Sequence, residues 1–165
     1  MITEDPVVLL VDDNKSYEVL MRTVFQRAGF VQRLQFAAGG DEAAAYLQGD
    51  GRYADRIQFP MPTAVLMDLK MPGRNGFEML EWMRGQPALR WIRVYMFSSS
   101  SRPEDIEKAY DLGANSYLVK PANLDGMVRM AESLMAWLKI SHFAPQIGVD
   151  AGCRRVPVYG AGGRA

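Results

Sequence analysis

The chain has 165 residues, of which 48% are hydrophobic and 23% charged, and its 19 basic residues balance 19 acidic ones. This length suits one domain of ordinary size, and the composition excludes an intrinsically disordered chain. The even charge balance gives no reason to expect a nucleic acid or a membrane surface as the partner.

Cysteine usage and the N-terminus indicate where the protein works. Cys153 is the only cysteine, which excludes an internal disulfide framework and fits a reducing compartment. No apolar run approaches the ~20 residues that a membrane-spanning helix needs. The first residues, MITEDP, are acidic and polar, unlike a secretory signal peptide. We therefore expect a cytoplasmic protein.

Strand and helix signals alternate from the start of the chain. The apolar run Pro6–Val11 predicts a buried strand that ends at two aspartates. Asn14 suits the N-cap of the helix that follows, in which apolar residues recur at helical spacing, and Gly29 suits its C-terminal stop. Residues 31–36 predict a weaker strand, and residues 40–48 predict a short helix of strong helix formers.

The alternation continues after a turn-rich loop over residues 49–62. The predicted elements are, in order, a strand at 64–68, a helix at 75–84, a strand at 92–97, a helix at 102–113, a strand at 116–119 and a long amphipathic helix at 124–138. Five alternations of this kind predict a parallel sheet with helices on both faces.

The end of the chain has a different character. Residues 141–165 lack periodicity and are rich in glycine and proline. Because so short a segment cannot build a core of its own, we expect one domain over residues 1–140 and a tail over residues 141–165.

Polar side chains follow four of the five predicted strands. Parallel strands share one edge for their carboxyl ends, and open α/β sheets bind ligands there. The second strand brings only Ala37 and Ala38 to this edge. The other four bring three carboxylates, a hydroxyl and an ammonium, which belong to Asp12, Asp13, Asp68, Ser98 and Lys120.

This set of groups predicts phosphoryl chemistry. Three clustered aspartates repel one another, and a hard cation such as Mg²⁺ relieves the repulsion. A metal site open to phosphate makes an adjacent carboxylate a candidate nucleophile, as in aspartyl-phosphate chemistry. Lys120 can neutralise phosphoryl oxygens, and the Ser98 hydroxyl can donate to one of them. Taken singly, each acid is more often a cap or a loop residue, so the prediction rests on the agreement of four strand ends.

Four motifs, in this order and spacing, resemble the receiver domain of two-component response regulators. They are VLLVDD, LMDLKMPGRNG, YMFSS and GANSYLVKP, and the resemblance covers about residues 6–140. It implies a doubly wound, flavodoxin-like (βα)5 fold with strand order 2-1-3-4-5. It also implies a sensor histidine kinase or a phosphotransfer protein as partner, and a chain that is no enzyme beyond its own phosphorylation and dephosphorylation.

The resemblance assigns roles to the acidic residues. Asp68 would be the phosphoacceptor. Asp13 and Asp68 would bind Mg²⁺ together with the backbone carbonyl of Lys70, while Asp12 would act through water. Lys70 places a cation at a position where receivers vary widely, which leaves the rate of dephosphorylation open.

The resemblance also predicts a switch and a backbone feature. Ser98 and Tyr117 occupy the hydroxyl and aromatic positions that move together on phosphorylation, with serine in place of the commoner threonine. Ser100 is a candidate modulator. Lys120 and Pro121 would be joined by a cis peptide bond, since X-Pro bonds are the ones that adopt cis at low energy.

The loop before Pro60, with the segments EDIEKAY and KPANLDG, is similar to the small stand-alone regulators that accompany phytochrome kinases. The last predicted helix carries Met130, Trp137 and Ile140 in addition to its core stripe. Because a monomer rarely leaves such a patch in water, we expect a homodimer through this helix and its neighbours.

Other interpretations remain open at this point. The wide apolar face of the last helix is also explained by a different protein as partner, or by coverage from the tail, through Phe143, Ile147, Val156, Val158 and Tyr159. A haloacid-dehalogenase-like phosphatase also forms an aspartyl phosphate, but it needs a second Asp two residues later, where this chain has Lys70. A degenerate receiver that only binds proteins is the remaining alternative, although it usually lacks one of the acids or the lysine.

Overall fold

Five strands and five helices alternate along the part of the chain that the computed structural model describes, residues 6–30 and 34–141. The strands are β1 (Val8–Val11), β2 (Leu34–Ala37), β3 (Ala64–Met67), β4 (Arg93–Ser98) and β5 (Ser116–Val119). The helices are α1 (Lys15–Arg27), α2 (Gly40–Gln48), α3 (Gly76–Gly85), α4 (Pro103–Asp111) and α5 (Leu124–Ile140). The predicted alternation is confirmed, and the end points move by a few residues at most.

All five strands are parallel and lie in the order β2-β1-β3-β4-β5. This confirms the doubly wound, flavodoxin-like fold. The central strands β1 and β3 are buried along their whole length, as expected for a parallel sheet covered on both faces. Val11 pairs with Met67, so the residues after β1 and β3 emerge side by side.

Two apolar cores lie on opposite faces of the sheet, because successive side chains of a strand point to opposite sides. Leu9 and Val11 of β1 belong to the core that includes residues of α2 and α3. Val8 and Leu10 belong to the core that includes residues of α1 and α5. The helices therefore cover both faces and leave the carboxyl edge of the sheet for the polar residues.

Side-chain caps fix where the helices begin. The Asn14 side chain accepts hydrogen bonds at the start of α1, and Asn75 forms a capping box with Glu78 at the start of α3. Gly29, with φ of +84°, follows the end of α1 in the left-handed region that favours glycine. The predicted cap at Asn14 and the predicted stop at Gly29 are confirmed.

The connection between α2 and β3 is more ordered than the sequence predicted. It contains a short 3-10 helix, Gly51–Ala54, in which Tyr53 is buried. The Tyr53 ring packs against Tyr46 and Phe59, with centroids 5.1 Å and 4.9 Å away. Arg56 donates hydrogen bonds to two carbonyl groups of the last turn of α2. These contacts hold the connection against α2.

The last described element is α5, which is followed by Ser141. Cys153 and, apart from Ser141, the predicted tail over residues 141–165 lie outside the described residues, so the domain boundary stays a prediction. Within residues 6–30 and 34–141, no helix has the length and apolar character needed to cross a membrane.

Candidate functional site

Three aspartates meet at the carboxyl edge of the sheet. Asp12 and Asp13 follow β1, Asp68 follows β3, and these strands are neighbours. One carboxylate oxygen from each residue lies within 4.8 Å of those of the other two. Asp12 is only 2% exposed, whereas Asp13 is exposed. The structure thus brings the predicted acids together in a cluster that is open to solvent at Asp13.

Both carboxylate oxygens of Asp12 are engaged by the protein. Oδ2 accepts a hydrogen bond from Nζ of Lys120 at 2.8 Å, and Oδ1 accepts one from the backbone N–H of Asn14 at 2.9 Å. A buried carboxylate held in this way is suited to bind a metal ion through a water molecule. This is the role that the resemblance to receiver domains predicted for Asp12.

Lys120 reaches the acids from the end of β5. Its Nζ lies 2.8 Å from Oδ2 of Asp12 and 3.6 Å from Oδ1 of Asp68, and 13% of its side chain is exposed. Lys120 is the first residue after β5, and its backbone N–H donates to the carbonyl oxygen of Ser98 at 2.8 Å. This hydrogen bond to β4 therefore fixes the backbone from which the Lys120 side chain extends.

The predicted cis peptide bond between Lys120 and Pro121 is wrong. No residue pair within the described ranges 6–30 and 34–141 is joined by a cis bond. Even before proline, the trans form is favoured by about 0.5–1 kcal/mol. Lys120 already contacts Asp12 and Asp68 from a trans bond, so the cis isomer is not needed to bring the ammonium to the acids.

Burial raises the pKa of the Asp68 carboxyl above its usual range; the charge of Lys120 opposes this shift and the charge of Asp12 adds to it. The backbone N–H of Leu69 donates to Oδ1 of Asp68 at 2.8 Å. A Cβ atom at Gly76 would lie 2.2 Å from the carbonyl oxygen of Asp68. Glycine is thus required where α3 begins beside this residue.

The acid cluster fits a hard divalent cation. Its donors are carboxylate oxygens, the type of ligand that Mg²⁺ and Mn²⁺ prefer. The Lys120 ammonium, which pairs with Asp12 and Asp68, balances only part of the negative charge of the three carboxylates. Asp13 and Asp68 would hold the ion on the open side of the cluster. Lys70, two residues after Asp68, is exposed, and the role of its carbonyl group stays a prediction.

The predicted switch residues are linked through Ser100. Ser98 is buried at the end of β4, and its Oγ accepts a hydrogen bond from the backbone N–H of Ser100 at 3.2 Å. The half-buried Tyr117 donates its hydroxyl to the carbonyl oxygen of Ser100 at 3.0 Å. The Ser100 hydroxyl in turn donates to Asp105 in the first turn of α4. The loop after β4 thus connects the acid edge to α4 and β5.

Tyr17 belongs to the site, although the sequence placed it only in the apolar pattern of α1. The Tyr17 ring centroid lies 4.1 Å from Nζ of Lys120. Burial raises the pKa of the Tyr17 hydroxyl well above its usual value, and the charges of Asp12 and Asp68 add to the shift, so the hydroxyl stays protonated. The only available signal in the sequence was its position four residues after Asp13, in the first turn of α1.

Known proteins resemble this chain over most of its length. Residues 8–132 match the sequence profile of the response regulator receiver domain. The chain is 34% identical over 140 residues to the probable methanogenesis regulatory protein FilR2 of Methanothrix harundinacea, a match that covers 82% of this chain and 86% of that protein. It is 31% identical over 134 residues to the response regulator Rcp1 of Synechocystis, a match that covers 81% of this chain and 89% of Rcp1.

Solved structures agree with these matches. The phosphorylated cyanobacterial phytochrome response regulator RcpA superposes with a TM-score of 0.76 at 29% identity, covering 86% of this chain and 100% of that one. The Mn²⁺-bound form of Rcp1 superposes with a TM-score of 0.71 at 30% identity, covering 84% and 98%. The predicted likeness to phytochrome-associated regulators is confirmed, and one of these relatives binds a divalent metal.

Proposed function

The chain belongs to the response regulator receiver family, and from this premise we propose that Asp68 accepts a phosphoryl group from a sensor histidine kinase or a phosphotransfer protein. The reaction depends on Mg²⁺, and it changes a surface that binds a partner protein or a second copy of the chain. One observation carries the proposal: Lys120 lies 3.6 Å from Asp68, beside two further aspartates, at the edge where β1, β3 and β5 end.

The residues of the site divide the chemistry among them. An oxygen of Asp68 attacks the phosphorus, and the bond between phosphorus and the donor nitrogen breaks with its electron pair leaving on the donor. Asp13, Asp68 and the backbone carbonyl of Lys70 would hold Mg²⁺, which would supply positive charge to the phosphoryl oxygens. The N–H of Leu69 fixes the Asp68 carboxylate. The Lys120 ammonium, already between two carboxylates, neutralises the transferred group.

Neighbouring functions fit the site less well. We propose that the chain is not a turnover enzyme, because Lys70 stands where a haloacid-dehalogenase-like phosphatase needs its acid/base aspartate. A degenerate receiver is disfavoured because the three acids are present and clustered, and Lys120 pairs with two of them. The similarity to Rcp1 and RcpA supports a stand-alone regulator of a phytochrome-type kinase, and the predicted cytoplasmic location belongs to the same proposal.

A labelling experiment separates the three functions. The full chain is incubated with a small-molecule phosphoryl donor, with Mg²⁺ or with a chelator, and its intact mass is followed after the donor is removed. We expect one phosphoryl group per chain, formed only with Mg²⁺ and retained after removal of the donor. Continuous phosphate release without retained label would indicate a phosphatase, and absence of label under all conditions would indicate a degenerate receiver.

Ser98 is expected to transmit the phosphorylation signal. When its hydroxyl donates to a phosphoryl oxygen, the hydrogen bond from Ser100 to Ser98 Oγ changes, and through Ser100 the acceptor of Tyr117 moves. Ser98→Ala should therefore still be labelled, but phosphorylation should no longer alter hydrogen exchange in α4 and β5. Ser133→Ala, an exposed serine on α5, is the control. An unchanged response in Ser98→Ala would remove Ser98 from the switch.

The output surface that we propose lies on the last three elements of the fold. Of the seven large apolar side chains that are exposed among the described residues, four lie on α4, β5 and α5, namely Tyr110, Val119, Trp137 and Ile140. β5 is also an edge strand, which can pair with another chain. Met130, by contrast, packs partly against the core and is not exposed. The surface fits a two-fold homodimer.

Sedimentation of the full chain, with and without a phosphoryl mimic, tests the dimer. Wild type should form dimers, and the double variant Trp137→Glu, Ile140→Glu should be monomeric, because charges would be buried in the interface. Ile57→Glu, at a side chain 96% exposed before β3, should still dimerise. A wild type that is monomeric in both states contradicts the dimer. A chain ending at His142 that dimerises where the full chain does not would show that the tail covers this face.

A further inference from the structure

Two aromatic rings and two carboxylates surround the Lys120 ammonium. Its Nζ lies 4.1 Å from the ring centroid of Tyr17 and 5.7 Å from that of Phe97. Its other neighbours are Oδ2 of Asp12 at 2.8 Å and Oδ1 of Asp68 at 3.6 Å. A lysine ammonium at the end of a flexible four-carbon stem has many alternative positions, and in the structure it lies among these four groups.

The loop that presents the acids also fixes the backbone of Tyr17. Oδ1 of Asn14 accepts hydrogen bonds from the backbone N–H groups of Ser16 at 2.9 Å and Tyr17 at 3.4 Å. The backbone N–H of Asn14 donates to Asp12 at 2.9 Å. The tyrosine ring also packs against Phe97, with centroids 6.1 Å apart. The backbone of Tyr17 is therefore held in the first turn of α1, and its ring packs against β4.

The Tyr17 ring, rather than its hydroxyl, makes the contact with Lys120. The buried hydroxyl oxygen has no hydrogen-bond partner among the residues that the structure describes. Removing the hydroxyl alone therefore breaks no hydrogen bond within that part of the chain, whereas removing the ring takes away the surface on which the ammonium rests. Phenylalanine and leucine at this position consequently separate the two contributions.

We propose that Tyr17 is a positioning residue for Lys120: a cation–π contact with its ring holds the ammonium beside Asp12 and Asp68, within reach of the phosphoryl group that Asp68 accepts. The inference rests on the proposed function for its role in phosphoryl transfer. The placement of Lys120 by the ring is a statement about the unphosphorylated protein, and it is testable separately.

The variants Tyr17→Leu and Tyr17→Phe are compared with wild type, with Val19→Ala, exposed on the same helix, as the control. The maximal labelling rate with Mg²⁺ and a saturating phosphoryl donor should fall about tenfold in Tyr17→Leu, the size expected for loss of a desolvated cation–π contact. Tyr17→Phe and Val19→Ala should stay within about twofold of wild type. Thermal unfolding of each variant shows whether a slow variant is still folded at the assay temperature.

Nuclear magnetic resonance of the metal-free protein reports the placement of Lys120 without any phosphoryl donor. The side-chain protons nearest Nζ should be shifted upfield by the ring in wild type and in Tyr17→Phe, and should lose this shift in Tyr17→Leu. An equal labelling rate in wild type and Tyr17→Leu, or an unshifted lysine in wild type, overturns the inference. A shifted lysine in a wild type that takes no label rejects the proposed function and leaves the placement by Tyr17 supported.

Discussion

Asp68→Asn is expected to abolish phosphoryl transfer to the chain, leaving no label above background. The amide has no carboxylate oxygen to attack phosphorus, and the metal loses one of its two proposed carboxylate ligands. The matched control is Asp50→Asn, which removes an exposed acid at the start of the connection between α2 and β3. The control should be labelled like wild type. Full labelling of Asp68→Asn, at wild-type stoichiometry, would show that another residue is the phosphoacceptor.

The same variant should change the pH dependence of stability. Because burial raises the pKa of Asp68, the folded chain binds this proton more tightly than the unfolded chain. The resulting stability is present below the ordinary aspartate pKa, about 3.9, and is lost as the pH rises through the folded value. At neutral pH without metal, Asp68→Asn should therefore have a higher free energy of unfolding than wild type.

Urea unfolding at several pH values, with a chelator present, measures this effect. The advantage of Asp68→Asn over wild type should be largest near neutral pH and should shrink as the pH falls below the folded pKa of Asp68. Asp50→Asn should show no such advantage. A variant less stable than wild type at neutral pH would contradict the assigned environment of Asp68.

Asp13→Asn is expected to weaken divalent metal binding by tenfold or more. Asp13 is the exposed member of the cluster, and both oxygens of Asp12 are already engaged, so Asp13 and Asp68 are left to bind the ion directly. Losing one of two charged ligands removes at least the roughly 1.4 kcal/mol that corresponds to a tenfold change in affinity. A calorimetric titration with Mg²⁺ or Mn²⁺ measures the affinity of each variant.

Thermal unfolding provides a second measure of the metal site. A ligand that binds only the folded chain stabilises it by about 2.7 kcal/mol at a hundred times its dissociation constant. Wild type should show this stabilisation with excess Mg²⁺, while Asp13→Asn should need a higher concentration for the same effect. Equal metal stabilisation of wild type and Asp13→Asn would contradict the proposed ligand set.

The sequence predicted the sheet and the acid cluster because both follow from local pattern. Apolar runs of strand length fixed β1 and β3, and the parallel arrangement placed the residues after these strands at one edge. Asp12, Asp13 and Asp68 then had to lie together, as they do. The predicted cap at Asn14 depends on equally short-range hydrogen bonds.

Other features that join distant parts of the chain were missed or predicted wrongly. The bond before Pro121 is trans, and Lys120 nonetheless reaches Asp12, which is 108 residues away. The contact between Tyr17 and Lys120 joins α1 to the end of β5. Arg84 shows the same limit: its guanidinium donates to the carbonyl of Gly113 and to Oδ1 of Asn115, an anchor between α3 and the start of β5 that no local pattern indicates.

Locating the phosphoryl group on the labelled chain tests the central claim most directly. The wild-type protein is labelled with a small-molecule phosphoryl donor and Mg²⁺, digested under conditions that preserve acyl phosphates, and the modified peptide is fragmented by mass spectrometry. The proposed function predicts one phosphoryl group per chain, on Asp68. A group located on any other residue, or a chain that stays unmodified with Mg²⁺ and excess donor, would contradict it.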